Sequence, residues 1–336
     1  MSRKEFWFSV IFGMAVLLFL GCGTSNKAVV NPAVNGGPAF DFTSRTVTLN
    51  NGIKMPILGI GTYRLTPEED EESVYLALTD GYRLIDTANV YMNERAVGRG
   101  IQRSGVPREE IFVTTKLLPS DYENVDKAID DTLARLNLEY IDLLLLHQSF
   151  GNYVEGYKGL EKAVADGKVR SIGVCNIYEE RFDEIIKIAT IPPAILQNET
   201  NPFVQQSEMR EHVRPYGTIL MSWFPLGGRV DNFNNTQTRL FNNETIVEIA
   251  EAHGKTPAQV ILRWHLQSGN IAIPGSRSAD HILENISIFD FELSAAEMQK
   301  MSALDTGILS LDFRNNIDEI SNFLSPNVPM DFNAQE

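Results

Sequence analysis

Five polar residues stand at the ends of short apolar runs: Asp86 after Leu84-Ile85, Lys116 after Val113-Thr114-Thr115, His147 after Leu143 to Leu146, Asn176 after Val174-Cys175, and Gln197 after Ile195-Leu196. A carboxylate, an ammonium and an imidazole move protons and pair charges, and two amides orient a ligand through hydrogen bonds. Any one of them alone could be satisfied by loop backbone. All of them together, each placed alike after an apolar run, point to one pocket, because the strand ends of a parallel barrel open on a single face. The only cysteines, Cys22 and Cys175, are too few for a disulfide framework or a thiolate zinc site, and no metal is expected.

The elements needed to position such residues are legible. Short apolar runs at Ile57-Gly61, Arg83-Ile85, Ile111-Thr115, Ile141-Leu146, Ser171-Val174, Ala194-Leu196, Thr218-Ser222 and Asn270-Ile273 alternate with helix-length stretches. Those stretches are Pro67-Thr79, Glu94-Arg103, Glu123-Leu136, Val154-Ala165, Glu179-Ala189, Ser207-Val213, Asn243-His253 with Pro257-Gln267, and Asp280-Ile286. Several strands are apolar throughout and so buried on both faces, which predicts an α/β fold of the (β/α)8 TIM-barrel type. A doubly wound sheet is disfavoured, since no glycine-rich dinucleotide turn follows the first strand. Val47-Leu49, the Asn50-Asn51-Gly52 turn and Ile53-Met55 predict a β-hairpin capping the barrel bottom.

The chain has 336 residues, 43% hydrophobic, with a net charge of -15, a balance that supports a packed core and argues against nucleic acid as a partner. Arg3 and Lys4, the apolar run Phe6 to Leu20, and Leu20-Gly21-Cys22 resemble a bacterial lipoprotein signal. The run is short for a bilayer core of about 30 Å, so a signal is preferred to an uncleaved N-terminal anchor, the alternative. The expected organisation is a signal at 1–21, a flexible Gly/Ser/Asn/Pro-rich tether at 22–40, the barrel at 41–308, and a C-terminal tail at 309–336 over the pocket mouth. The expected address is the bacterial cell envelope, with a lipid on Cys22.

The run from Gly81-Tyr-Arg-Leu-Ile-Asp-Thr-Ala-Asn-Val-Tyr-Met-Asn-Glu94 to Val97-Gly98 resembles the signature of the aldo-keto reductases. So do Leu49-Asn50-Asn51-Gly52 with Met55-Pro56, Thr114-Thr115-Lys116, Leu146-His147, and Ile273-Pro274 with Glu284-Asn285. The resemblance spans about residues 45 to 305. It implies a (β/α)8 barrel that reduces aldehydes and ketones with NADPH, and a catalytic tetrad of Asp86, Tyr91, Lys116 and His147. Carbonyl reduction needs a proton on the developing alkoxide as hydride reaches carbon. Tyr91 would be the donor, with Lys116 lowering a tyrosine pKa that is ordinarily about 10, Asp86 keeping Lys116 charged, and His147 orienting the carbonyl oxygen of the substrate.

The resemblance also implies a cofactor shell. Trp223 takes the place of the aromatic that stacks on the nicotinamide, Asn176 and Gln197 hold its carboxamide, and Gly61, Thr62 and Leu226 line the pyrophosphate path. Ser276, Arg277, Glu284 and Asn285 fall at the adenosine end. Two cationic positions of the family's 2′-phosphate site are here Gly275 and His281, so Arg277 becomes the expected phosphate partner, NADH is the alternative cofactor, and a lysine restored at 275 should favour NADPH. Cys175 stands where serine is usual. His147-Gln148-Ser149 lacks the tryptophan often seen after the histidine, which suggests the short-loop bacterial branch acting on small aldehydes, α-dicarbonyls or keto sugars. A monomer is expected. The rival from another class is a membrane-tethered barrel that binds a ligand without turnover, a binding lipoprotein.

Overall fold

The computed structural model describes residues 39–228, 236–310, 312–316 and 332–335. The signal, most of the tether and much of the C-terminal tail expected from the sequence lie outside the described residues. Phe40 and Phe42 already pack against the core, so packing reaches the last residue read as tether.

The first strands among the described residues form an antiparallel hairpin, β1 (Thr46–Thr48) and β2 (Lys54–Pro56), registered Val47 to Met55. Its turn is tied to the main body by two asparagines. Asn50 Nδ2 donates to Pro193 O at 3.1 Å and Tyr216 O at 3.2 Å, and Asn51 Nδ2 donates to Arg170 O at 3.1 Å and Ser171 Oγ at 3.0 Å.

Strands and helices then alternate: β3 (Ile60–Gly61), α1 (Pro67–Thr79), β4 (Leu84–Asp86), α2 (Glu94–Ser104), β5 (Phe112–Leu117), α3 (Val125–Leu136), β6 (Ile141–Leu146), α4 (Tyr153–Ala165) and β7 (Val169–Cys175). They continue as α5 (Glu179–Ile188), β8 (Ile195–Glu199), α6 (Ser207–Val213), β9 (Ile219–Trp223), α7 (Thr236–Phe241), α8 (Glu244–His253), α9 (Pro257–Gln267), β10 (Ile271–Ala272), α10 (Ala279–Ile286) and α11 (Ala295–Ser302). The helix starts carry their own chemistry. At α1, Thr66 accepts from Glu69 N while the Glu69 carboxylate accepts from Thr66 N, with Pro67 in the first turn; Thr256, Pro257 and Gln259 repeat the device at α9.

Strands β3 to β10 form one parallel sheet of eight in chain order. The sheet curls back on itself: Leu58 bridges Ala272, Gly59 N donates to Ala272 O at 2.9 Å, and Gly61 N donates to Pro274 O at 3.1 Å. This is the expected (β/α)8 order, in which the apolar face of each crossover helix is buried against the sheet. The β6 strand, Ile-Asp-Leu-Leu-Leu-Leu, is buried at every position. Its one polar residue, Asp142, survives there because Arg108 and Arg170 reach its two oxygens at 2.6 and 2.7 Å.

Candidate active site

The strand ends hold the polar residues, and two of them lie deeper than the sequence suggested. Lys116 is the penultimate residue of β5, and Gln197 sits in the middle of β8. The ladder continues past both, with Lys116 opposite Leu145 and Gln197 opposite Met221. Their polar ends are satisfied within the sheet's C-terminal end, so they need not terminate a strand to be tolerated.

Lys116 is fully buried. Its ammonium donates to Asp86 Oδ1 at 2.6 Å, to Thr87 O at 2.7 Å and to the Tyr91 hydroxyl at 3.3 Å, which uses all three of its N–H groups. Gln197 Nε2 donates to the other Asp86 oxygen at 2.7 Å. Burial raises the Asp86 carboxyl above its ordinary range, against the pull of Lys116 and the Gln197 amide.

Tyr91 closes a 3₁₀ turn, Asn89–Tyr91, and Met92 follows in the left-handed region. Two asparagines bracket it. Asn89 Nδ2 donates to Asp121 at 2.6 Å, while Asn93 donates to Thr62 O at 2.9 Å and accepts from Thr87 Oγ1 at 2.8 Å. The expected lowering of the Tyr91 pKa is reversed: burial, then the Asp86 charge, pushes the hydroxyl well above its usual value. The same carboxylate that neutralises Lys116 cancels the field by which the lysine would have acidified the phenol.

The His147 ring stands edge-on to Tyr91, centroids 5.8 Å apart. Burial, then the Lys116 charge, lowers its pKa well below the usual value, so the imidazole is neutral at neutral pH. Its Nδ1 is buried without a partner. Asn176, left-handed at φ 53°, donates from Nδ2 to His147 O at 3.1 Å and accepts from Trp223 Nε1 at 3.0 Å. Thus Asp86, Tyr91, Lys116, His147, Asn176, Gln197 and Trp223 form one connected group. Cys175 is buried next to it, its thiol 3.6 Å from Gln197 Oε1 and pushed above its ordinary pKa by burial. That makes it a filler rather than a nucleophile.

Gly61 ends the first barrel strand, and Thr62, directly after it, donates from N and from Oγ1 to Asp86 O. Leu226 is half-buried four residues after Ser222. The remaining cofactor candidates lie on the loop from β10 to α10, which meets Gly61 backbone to backbone. A Cβ on Gly275 would fall 2.8 Å from Gly61 O, so a lysine there would have to displace main chain before it could reach a phosphate. Ser276 Oγ accepts from Ser278 N at 3.1 Å, and Ser278 caps α10. Arg277 pairs with Glu69 at 3.0 Å while staying 72% exposed. Asn285 is buried, and the Glu284 carboxylate accepts from Thr256 Oγ1 at 2.5 Å, facing the start of α9.

One aromatic at the site was missed by sequence reasoning. Tyr63 is 47% exposed, 5.0 Å from the Tyr91 ring and 6.3 Å from Phe224. Its signal was available: a large ring directly after Gly61-Thr62, at a strand's C-terminal end. Among the described residues no group of three or more His, Cys, Asp or Glu could hold a metal ion.

A buried lysine–aspartate pair touching a tyrosine at the C-terminal ends of eight parallel strands defines an enzyme site on a (β/α)8 scaffold. The profile of the aldo/keto reductase family matches residues 57–306. Morphine 6-dehydrogenase of Pseudomonas putida is 44% identical over 275 residues, 79% of this chain and 93% of that protein. Glyoxal reductase of Bacillus subtilis is 43% identical over 264 residues, 77% of this chain and 92% of its own length. Among solved structures, a Bombyx mori aldo-keto reductase in complex with NADP superposes with a TM-score of 0.77 at 32% identity, covering 81% of this chain and 96% of that one. The chain belongs to the aldo/keto reductase family and is an NAD(P)H-dependent oxidoreductase.

Proposed function

We propose that the protein reduces a small aldehyde, α-dicarbonyl or keto sugar to the alcohol with NADPH, with Tyr91 as proton donor. The observation that carries this reading is the 3.3 Å contact between the Tyr91 hydroxyl and a lysine that Asp86 holds at 2.6 Å. The relatives' names, a glyoxal reductase and a morphine dehydrogenase, support carbonyl and alcohol chemistry.

The residues fit the cofactor. Asn176 and Gln197 each spend one amide N–H on the protein and keep a second for a carboxamide. Trp223 is half-buried beside them. At the other end, Ser276, Arg277 and the start of α10 offer hydroxyls, a guanidinium and main-chain amides suited to a phosphate. When bound, NADPH supplies the hydride.

Tyr91 holds its proton at any physiological pH and releases it only to a stronger base, the alkoxide that forms on the substrate. Lys116 steadies the phenol oxygen as charge passes to it, and Asp86 with Gln197 keeps the ammonium in place. The neutral His147 orients the carbonyl oxygen as a hydrogen-bond donor without contributing a charge. Tyr63 and Phe224 shape the approach, and the tail adds to it. Ser310 donates twice to the Glu199 carboxylate, at 2.7 and 2.6 Å, and Phe313 is buried. The hairpin, through Asn50 and Asn51, would close the opposite end.

The chain would work as a monomer at the cell envelope, tethered by a lipid on Cys22. No helix among the described residues is long and apolar enough to cross a membrane. Loss of NADPH absorbance on adding glyoxal or methylglyoxal to the purified full chain tests the activity; NADPH binding without turnover of any aldehyde would favour the non-catalytic binding lipoprotein. Labelling with a radioactive fatty acid, lost in Cys22→Ser, tests the address.

A further inference from the structure

His265 lies on α9, fully buried, and reaches two points of the segment Ser222–Pro225, where β9 ends and the chain turns. Its Nδ1 is 3.1 Å from Ser222 Oγ and its Nε2 is 3.0 Å from Pro225 O. A carbonyl oxygen only accepts, so Nε2 carries the proton, and Nδ1 accepts from the serine hydroxyl. Between those anchors stand Trp223 and Phe224. Phe224 is held at φ 50°, a conformation a bulky residue enters at a cost, and Gly227 N closes the following turn, Phe224–Gly227, onto Phe224 O at 2.8 Å. On its outer side Trp223 is fixed through Asn176, on which its indole N–H bonds at 3.0 Å.

We infer that His265 is a positioning residue for the nicotinamide end of the cofactor: a buried imidazole that clamps Ser222 and Pro225 and thereby sets the plane of Trp223. Burial lowers its pKa to about 3, so the neutral tautomer that fits this clamp persists through the neutral range. A Trp223 that rotates loses the stacking surface, whereas the adenosine end, on the loop after β10, is anchored elsewhere. The inference rests on Trp223 meeting the nicotinamide, as proposed above.

The test compares His265→Gln, His265→Asn and Ser222→Ala in the full-length protein, by calorimetric titration with NADPH and with adenosine 2′,5′-bisphosphate. The Gln amide can reach Pro225 O from the Nε2 position, and the shorter Asn can reach only Ser222. Expected are near wild-type NADPH affinity for Gln, a loss of about five- to tenfold for Asn, a smaller loss for Ser222→Ala, and unchanged bisphosphate affinity in all three. Ser222→Ala removes a single oxygen and so reports even if a histidine variant fails to fold. Unchanged NADPH affinity in Ser222→Ala and in the folded histidine variants, or parallel losses for both ligands, overturns the clamp. Wild-type protein that binds the bisphosphate and not NADPH overturns the nicotinamide reading beneath it, and one that binds neither overturns the proposed function itself.

Discussion

Lys116 Nζ stands 3.3 Å from the Tyr91 hydroxyl with its charge already matched by Asp86 at 2.6 Å. The lysine is therefore placed to steady the phenol more than to acidify it, and in the proposed reaction Tyr91 would enter fully protonated. Tyr91→Phe keeps the ring that packs against Tyr63 and His147 and deletes the proposed donor. Carbonyl reduction should fall by at least about a hundredfold, the lower range for a general acid, with NADPH affinity nearly unchanged. Turnover within a few-fold of wild type would reject Tyr91 as the acid.

Removing the lysine has a second consequence. Lys116→Met leaves Asp86 buried with Gln197 as its remaining side-chain donor. Breaking one side of a buried pair costs about 3–5 kcal/mol, so this variant should melt well below wild type as well as lose activity. The double variant Lys116→Met/Asp86→Asn should recover much of the melting temperature and none of the turnover. A single variant as stable as wild type would show that the pair is not charged in the fold.

How much of this was legible follows from what each residue answers to. Helix α1 and strand β6 fall where the sequence placed them because Thr66-Pro67 and an unbroken apolar run are local signals. Asp86, Lys116 and His147 were legible because strand ends converge whatever the loops do, whereas Tyr91, on the 3₁₀ turn after β4, was reached only through the family resemblance. Other features depend on contacts between distant segments: the backbone approach of Gly275 to Gly61, the ion pair from Arg277 to Glu69, and the placing of Lys116 inside β5. The short helix α11 was missed, although Ser294 and Glu297 form its capping box, because it follows the last barrel strand and no alternation demanded it.

Arg277 bears on cofactor choice through its partner. The guanidinium already faces the Glu69 carboxylate, whose pKa is held low by the Thr66 amide and then by Arg277, so an incoming 2′-phosphate shares the arginine with an anion. Arg277→Ala should weaken NADPH by about five- to tenfold, below the full value of a buried charged bond because the site is solvated, and leave NADH nearly unaltered. Glu69→Gln should shift the NADPH-to-NADH affinity ratio the other way, toward NADPH, by a few-fold. Equal effects on both cofactors would place this pair outside the phosphate site.

Asp70 gives the fold a pH dependence that opposes the usual carboxylate behaviour. It is buried in α1 with neither oxygen in hydrogen-bond geometry, and burial raises its pKa from 3.8 to about 8, with Asn93 nearby offsetting this only in part and the Glu69 charge adding to it. Between those values the folded protein keeps a proton that the unfolded chain has released. Folding then binds protons, and the contribution of Asp70 to stability falls as pH rises from about 4 toward 8. Asp70→Asn removes that titration while keeping the shape. The variant should match wild type near pH 4 and exceed it increasingly toward pH 8, by on the order of 2 kcal/mol at the upper end, within the range for an uncompensated buried polar group. Urea unfolding of both proteins across this interval measures the difference directly, and subtracting wild type cancels the other carboxylates. Parallel curves would mean that Asp70 is solvated or paired in solution. A gap that opens toward low pH instead would mean that its carboxylate is stabilised by the fold, with the sign of the linkage reversed.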